Sequence, residues 1–247
     1  ARARGSVGPA GRLTVAESAG VARALAALPG HKTCFARRRG AMPKVCATGP
    51  RTAVILAGGR GTRLAPVLGT RPKVLAQVGG RPFLAHLLDR LVVEGLRRVV
   101  LCTGHGAEEV EAAFGDAYGG LALAYSRETE PAGTGGALRL AARMLDDDPV
   151  LVMNGDSACQ ASLLDFWDWH RTQGAQATVL LAHVADPGRY GRVDVDESGR
   201  VVGFVEKDTT SGPGWVSAGV YVLPGALMAT VSAGRPVSLE REVLPAW

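Results

Sequence analysis

The sequence predicts an α/β protein: a doubly wound, mostly parallel sheet followed by a β-rich part. Three observations carry this. Between residues 51 and 184, short apolar runs alternate with amphipathic stretches of helical period, the pattern of β–α units that place helices on both faces of one sheet. The first apolar run ends directly in a glycine-rich turn, Gly58-Gly59-Arg60-Gly61-Thr62-Arg63. From Gly191 onward, strand-like segments follow one another without helical stretches between them.

Taken in order, Ala53-Val54-Ile55-Leu56 is an apolar run of strand length. Residues 82–94 read as a helix: Pro82 suits the first helical position, Phe83, Leu84, Leu87, Leu88, Leu91 and Val92 form one apolar stripe, and Gly95 closes it. Residues 98–103 are a buried strand, 107–114 a short helix, 121–125 a strand and 134–145 a helix. Residues 150–153, 161–172 and 177–184 continue as strand, helix and strand. Three strands then follow at 191–195, 201–206 and 215–222, the first two joined by the turn Asp196-Glu197-Ser198-Gly199. The alternation makes the first part Rossmann-like, and ligands of such sheets sit beyond the carboxyl ends of the strands.

An apolar content of 47% in 247 residues is ample for a core. No uncharged apolar run approaches the roughly 18 residues a membrane helix needs, so no membrane partner is expected. The formal charge of +5 is unevenly spread. Residues 1–50 hold nine Lys/Arg against Glu17 alone, whereas residues 51–247 hold 19 Lys/Arg against 22 Asp/Glu. The second stretch therefore carries no nucleic-acid-type basic face. Cys34, Cys46, Cys102 and Cys159 are widely separated and form no C-x-x-C pair, which fits a reduced, cytoplasmic protein.

A domain boundary is placed near Arg51. Residues 1–50 read as a disordered basic leader or the remnant of an upstream segment. A transit peptide is a third reading, because the stretch is Arg-rich and acid-poor. A helical patch is drawn at 15–28, where Val21, Leu25 and Leu28 share a face. The chain begins with Ala rather than Met, so it reads as less than a complete translation product.

The turn after the first strand points to phosphate chemistry. Glycines let the backbone approach a ligand, and consecutive free N–H groups form an anion-binding nest. Arg63 adds a planar fork of donors, and Lys73 a mobile point charge. Leu64 stands where a dinucleotide fingerprint needs its third glycine, and no Gly-Lys-Ser/Thr makes a Walker A loop. A plain strand-to-helix turn stays open at this point. Two further constellations lie at strand ends. Small residues Gly133, Thr134, Gly135 and Gly136 open a predicted helix and leave donors free, although Thr134 also suits an N-cap. Asn154-Gly155-Asp156 ends a strand in a carboxylate, which either caps a turn or holds a cation.

Together, GGxGTRL followed by PK, then EPxGTGGA, NGDS, RYGR, the strand around Ser217-Ala218-Gly219-Val220-Tyr221, and SLExxVLP resemble the sugar nucleotidyltransferases from about Thr52 to Leu244. Within that family, the motifs look closest to the heptose 1-phosphate guanylyltransferases. Mannose-1-phosphate guanylyltransferases and N-acetylmuramate 1-phosphate uridylyltransferases are near neighbours. The resemblance implies transfer of a nucleotidyl group from an NTP, GTP foremost, to a sugar 1-phosphate, with pyrophosphate released and Mg²⁺ as cofactor. It implies that Leu56, Ala57, Gly58, Gly59, Gly61 and Thr62 cradle the nucleotide and that Gly133, Thr134, Gly135 and Gly136 contact the base. Arg63 would hold the β- and γ-phosphates, Lys73 the α-phosphate and Lys207 the sugar phosphate. Asp156 would hold the metal. Asn154, Gly191, Glu206 and Ser217 would face the sugar in the β-rich half, with Ser217 in place of the usual Asn. Homo-oligomerisation stays open.

One departure opens a second class of function. The family takes another metal carboxylate from a late FxDIGTP-like segment, and no Asp follows Asp208 here. Glu240 and Glu242 lie in the SLExxVLP stretch and are not assigned that role. The chain thus reads either as a C-terminally truncated enzyme or as a nucleotide-sugar-binding regulatory homologue without catalysis.

Overall fold

The structure, a computed structural model, describes residues 13–14, 21–27, 49–59, 71–187, 191–205 and 212–247. The strands are β1 (Leu13–Thr14), β2 (Val21–Ala27), β3 (Thr52–Leu56), β4 (Gln77–Val78), β5 (Arg81–Pro82), β6 (Arg98–Thr103), β7 (Ala117–Tyr118), β8 (Leu121–Arg127), β9 (Val150–Asn154), β10 (Thr178–Val184), β11 (Arg192–Val195), β12 (Val201–Val205) and β13 (Gly214–Leu223). The helices are α1 (Phe83–Val93), α2 (Ala107–Phe114), α3 (Gly133–Ala141), α4 (Leu163–Gln173), α5 (Gly225–Ala229) and α6 (Leu244–Ala246).

The main sheet has the order β1-β2-β10-β13-β9-β3-β6-β8-β7. Strands β9, β3, β6 and β8 are mutually parallel. β13 runs antiparallel to β9 and to β10, and β11 pairs with β12 and touches β13. The doubly wound, mostly parallel expectation holds for the first part, and the β-rich second part joins the same sheet.

Residue alternation along the central strands explains the two-sided burial. Ala53 and Ile55, Val99 and Leu101, Leu151 and Met153 face one core, which α1, α2 and α4 cover. Val54, Val100, Cys102, Val150 and Val152 face the other, covered by α3, α5 and the segment from Val237 to Leu244. A strand's side chains alternate between faces, so strands apolar at every position need helices on both sides. Helix α4 is capped twice. The Ser162 hydroxyl accepts from the Asp165 amide at 3.0 Å, and the Glu94 carboxylate accepts from the Leu163 and Leu164 amides at 3.0 and 3.2 Å.

Two sequence expectations change. Within the helical patch drawn at 15–28, Val21–Ala27 is instead a strand antiparallel to β10, with Val21 opposite His183 and Ala27 opposite Thr178, and the rest of the patch lies outside the described residues. Pairing with β10 satisfies an edge that would otherwise present free N–H and C=O groups, a tertiary demand that local periodicity does not encode. The helix drawn at 134–145 ends at Ala141 and continues as a tighter turn over Ala142–Met144.

His170, buried on α4, has its Nδ1 2.8 Å from the Thr178 hydroxyl of β10. Burial pushes its pKa down to about 4. As pH falls from about 6.5, the unfolded chain binds a proton that the native state refuses until about pH 4. Stability is therefore expected to fall by about 2–3 kcal/mol across that window. His170→Gln should flatten this part of the profile in urea titrations at pH 7, 6, 5 and 4; an unchanged slope would remove His170 as its cause.

Candidate active site

After β3 the chain builds outward through β6 and β8, then returns to place β9 on the opposite side of β3. The segments leaving β3 and β9 therefore diverge, which opens a crevice at the topological switch point. A cleft of about 550 Å³ lies there. Its walls are the carboxyl ends of the parallel strands: Leu56–Gly59 after β3, Gly104 and His105 after β6, Glu128–Pro131 after β8, and Asn154 and Asp156 at β9. Lys73, the start of α3 and the segment Ser238–Glu240 complete the lining.

The loops leave the sheet along fixed paths. The Ala57 amide donates to the Cys102 carbonyl at 2.8 Å, Gly155 to Leu56 at 2.9 Å, and Glu128 to Thr103 at 2.8 Å, which carries the ladder past the strand ends. Gly155 is required by close approach. A Cβ there would lie 2.6 Å from the Leu56 carbonyl oxygen and near the Val74 and Ile55 side chains. Lys73 sits on a single 3-10 turn, Lys73–Leu75, whose Val74 and Leu75 are buried. That anchoring sends the ammonium toward β9, where Nζ meets Asp156 Oδ2 at 2.8 Å. Asp156 Oδ1 accepts from the Ser157 hydroxyl at 3.0 Å. The two side chains are 33% and 45% exposed. Solvent screens a pair this open, so it adds little to stability, and both groups remain reachable by a ligand.

The segment 237–240 closes the cleft from a distant part of the chain. The Val237 amide donates to the Ala132 carbonyl and the Gly135 amide to the Val237 carbonyl, both at 2.8 Å. The Thr134 hydroxyl accepts from the Leu239 amide at 2.8 Å. Thr134 is therefore not the N-cap of its own helix. Gly133 and Thr134 line the cleft, whereas Gly135 and Gly136 are buried, and Gly135 has its amide bound to Val237.

Electrostatics mark two further residues. Glu128 lines the cleft and accepts from the Ala132 amide at 2.8 Å. Burial raises its pKa, and that single hydrogen bond only partly offsets the shift. Tyr221, wholly buried on β13, donates its hydroxyl to Glu240 Oε1 and lies 3.0 Å from the Ser217 hydroxyl. Burial and the Glu240 charge hold the phenol well above its usual range, so it remains a neutral donor at any working pH.

The cleft thus gathers Leu56, Ala57, Gly58, Gly59, Lys73, Gly133, Thr134, Asn154 and Asp156. Ser217 stands behind it, joined through Tyr221, and Gly191, just before β11, is not among the residues that line it. Arg63, Gly61, Thr62, Glu206 and Lys207 lie outside the described residues. Sequence reasoning assigned no role to Glu128 and set Glu240 aside as a metal ligand. Glu240 stood inside SLExxVLP, but that motif alone does not show the side chain turned into the cleft; Glu128 lies two residues before EPxGTGGA, outside the motif.

For a metal, Asp156 is the available strand-end carboxylate, and no cluster of three His, Cys, Asp or Glu suited to a metal occurs among the described residues. A single carboxylate fits Mg²⁺, which keeps several waters and binds through one or two carboxylates together with substrate phosphates.

A family model described as "Nucleotidyl transferase" matches residues 52–240. The chain belongs to this nucleotidyl transferase family. Among its relatives, a mannose-1-phosphate guanylyltransferase of Mycobacterium tuberculosis is 41% identical over 195 residues, covering 78% of this chain and 54% of that protein. A D-glycero-alpha-D-manno-heptose 1-phosphate guanylyltransferase of Aneurinibacillus thermoaerophilus is 35% identical over 192 residues, covering 78% of this chain and 83% of that protein. The crystal structure of HddC from Yersinia pseudotuberculosis complexed with GMP-PN superposes with a TM-score of 0.71 at 30% identity, covering 80% of this chain and 86% of that one. The chain spans about half the length of most of the curated relatives it matches. No helix among its described residues is long and apolar enough to cross a membrane.

Proposed function

We propose that the chain transfers a guanylyl group from GTP to a manno-configured sugar 1-phosphate, heptose 1-phosphate or mannose 1-phosphate, with release of pyrophosphate. The observation that carries this is Lys73, ten residues past the glycine-rich turn, beside Asp156 at the switch-point cleft. The relatives that are 34–41% identical over 192–197 aligned residues are guanylyltransferases by name. Residues 51–247 form the transferase unit in this reading. The free, buried Cys102 and Cys159 support a cytoplasmic setting.

In this reading, an oxygen of the sugar 1-phosphate attacks the α-phosphorus of GTP in line. The bond from that phosphorus to the bridging β-oxygen breaks, and its electron pair leaves with pyrophosphate. Little covalent chemistry falls to the protein, which orients the two phosphates and neutralises their charge. Lys73 holds the α-phosphate, with Arg63 on the β- and γ-phosphates and Lys207 on the nucleophile. The Leu56–Gly59 and Gly133–Thr134 backbones hold the nucleoside. Asp156 would hold Mg²⁺, which supplies charge neutralisation on the phosphates.

The test is Mg²⁺-dependent pyrophosphate release with four NTPs crossed with heptose, mannose, glucose and N-acetylmuramate 1-phosphates. Release is expected with GTP and a manno sugar. Silence from folded protein that still binds GDP-sugar would instead identify a nucleotide-sugar-binding regulatory homologue.

A further inference from the structure

Glu240 is a cleft carboxylate that the proposed reaction leaves without a role. Its Oε1 accepts from Tyr221, and among the described residues Oε2 meets no donor and the group meets no cation. The anchor is stiff, because Tyr221 is wholly buried and the Asn154 side chain also faces its hydroxyl. The backbone is equally constrained. Residues Leu239–Val243 form one π-type turn, opened by the Ser238 hydroxyl accepting from the Arg241 amide at 3.3 Å and tied to α3 through Leu239 and Thr134. Such turns are rare and concentrate at functional sites. A carboxylate held through one oxygen on a rigid support at a cleft wall, with its other oxygen meeting no donor among the described residues, is built to meet donors that arrive with a ligand.

The position of Glu240 identifies which part of the ligand that is. The phosphate-type groups gather at β3 and β9, around Lys73 and Asp156. Glu240 hangs from Tyr221 on β13, the next strand beyond β9, beside Ser217. A carboxylate repels phosphate and offers only acceptor lone pairs, so it suits a neutral moiety dense in O–H donors. We propose that Glu240, positioned by the Tyr221 hydroxyl, accepts hydrogen bonds from ring hydroxyls of the sugar and thereby discriminates among sugar 1-phosphates. This rests on the transferase reading above and adds to it the residue that selects the sugar.

The experiment measures Kd by calorimetry for GDP-mannose and for GDP, with the unaltered chain, Glu240→Gln and Tyr221→Phe. The comparison isolates the sugar, since GDP carries the same base and ribose. Glu240→Gln should weaken GDP-mannose at least about tenfold, as expected for loss of a charged hydrogen bond, and leave GDP within about twofold. Tyr221→Phe, which keeps the ring and frees the carboxylate, should give a smaller loss with the same selectivity. A deoxy analogue of GDP-mannose lacking the contacted hydroxyl should bind the chain and Glu240→Gln alike. Equal weakening of GDP and GDP-mannose would assign Glu240 to ribose contact or to scaffolding and overturn the proposal, as would no weakening of either. If the unaltered chain binds neither ligand, the transferase reading fails, and this inference fails with it.

Discussion

Replacing Lys73 by alanine is expected to lower kcat/KM for pyrophosphate release by about 10- to 100-fold, the value of one charged hydrogen bond to phosphate. The same substitution should move Tm by less than about 4 °C. Its partner in the structure is Asp156, and a pair a third to nearly half exposed adds at most about 1 kcal/mol to stability. The two readouts separate chemistry from scaffolding. Full turnover would sink the phosphate role of Lys73. A large loss of Tm would show that the buried Val74–Leu75 turn depends on the lysine, and the activity loss could then not be assigned to phosphate.

Gly133→Ala is the second large effect. Gly133 has φ +72°, and a Cβ there would stand 2.5 Å from the Val237 carbonyl oxygen and 2.8 Å from its nitrogen. The left-handed backbone costs an L residue about 1–2 kcal/mol, and the backbone clash adds about 1–3 kcal/mol. A loss of about 2–5 kcal/mol in urea unfolding is expected, together with loss of guanine-nucleotide binding as segment 237–240 is pushed off α3. Gly174→Ala is the control. It is left-handed, with φ +60° and ψ +31°, and has nothing within 4 Å of a built Cβ, so it should cost only the backbone part. Equal losses for the two variants would mean that the wall against α3 does not depend on close approach at Gly133.

These outcomes depend on features of unequal legibility in the sequence. The parallel part was readable because strands apolar at every position, such as Ala53–Leu56 and Val150–Met153, signal burial on both faces, and an apolar stripe such as Leu84-Leu87-Leu88-Leu91 signals a helix. The two-residue pairs β4–β5 and β7 left no periodic trace. The strand Val21–Ala27 was missed because its reason is an open edge on β10, more than 150 residues away in sequence. At the site, Asp156 was legible as a strand-end carboxylate beside a glycine, and Lys73 as the lysine of the Pro-Lys pair that follows the glycine-rich turn. The burial of Gly135 and Gly136 was not, because a run of small residues looks the same whether it faces a ligand or receives another segment. Glu240 was legible as part of SLExxVLP but its placement was not, because that comes from contacts with Tyr221 and α3 far away in sequence.

The bond from Leu239 to Thr134 joins residues 105 positions apart, and it has a kinetic corollary. Contacts of such high sequence separation pay their loop-closure entropy late and form after local structure. The cleft wall is therefore expected to close after the local β–α units, and the folding transition state to lack the complete nucleotide pocket. A nucleotide that requires that wall then stabilises the native state without stabilising the barrier. Added GDP should slow unfolding and leave the refolding rate unchanged, which makes the ligand a brake on loss of structure instead of a template for gaining it.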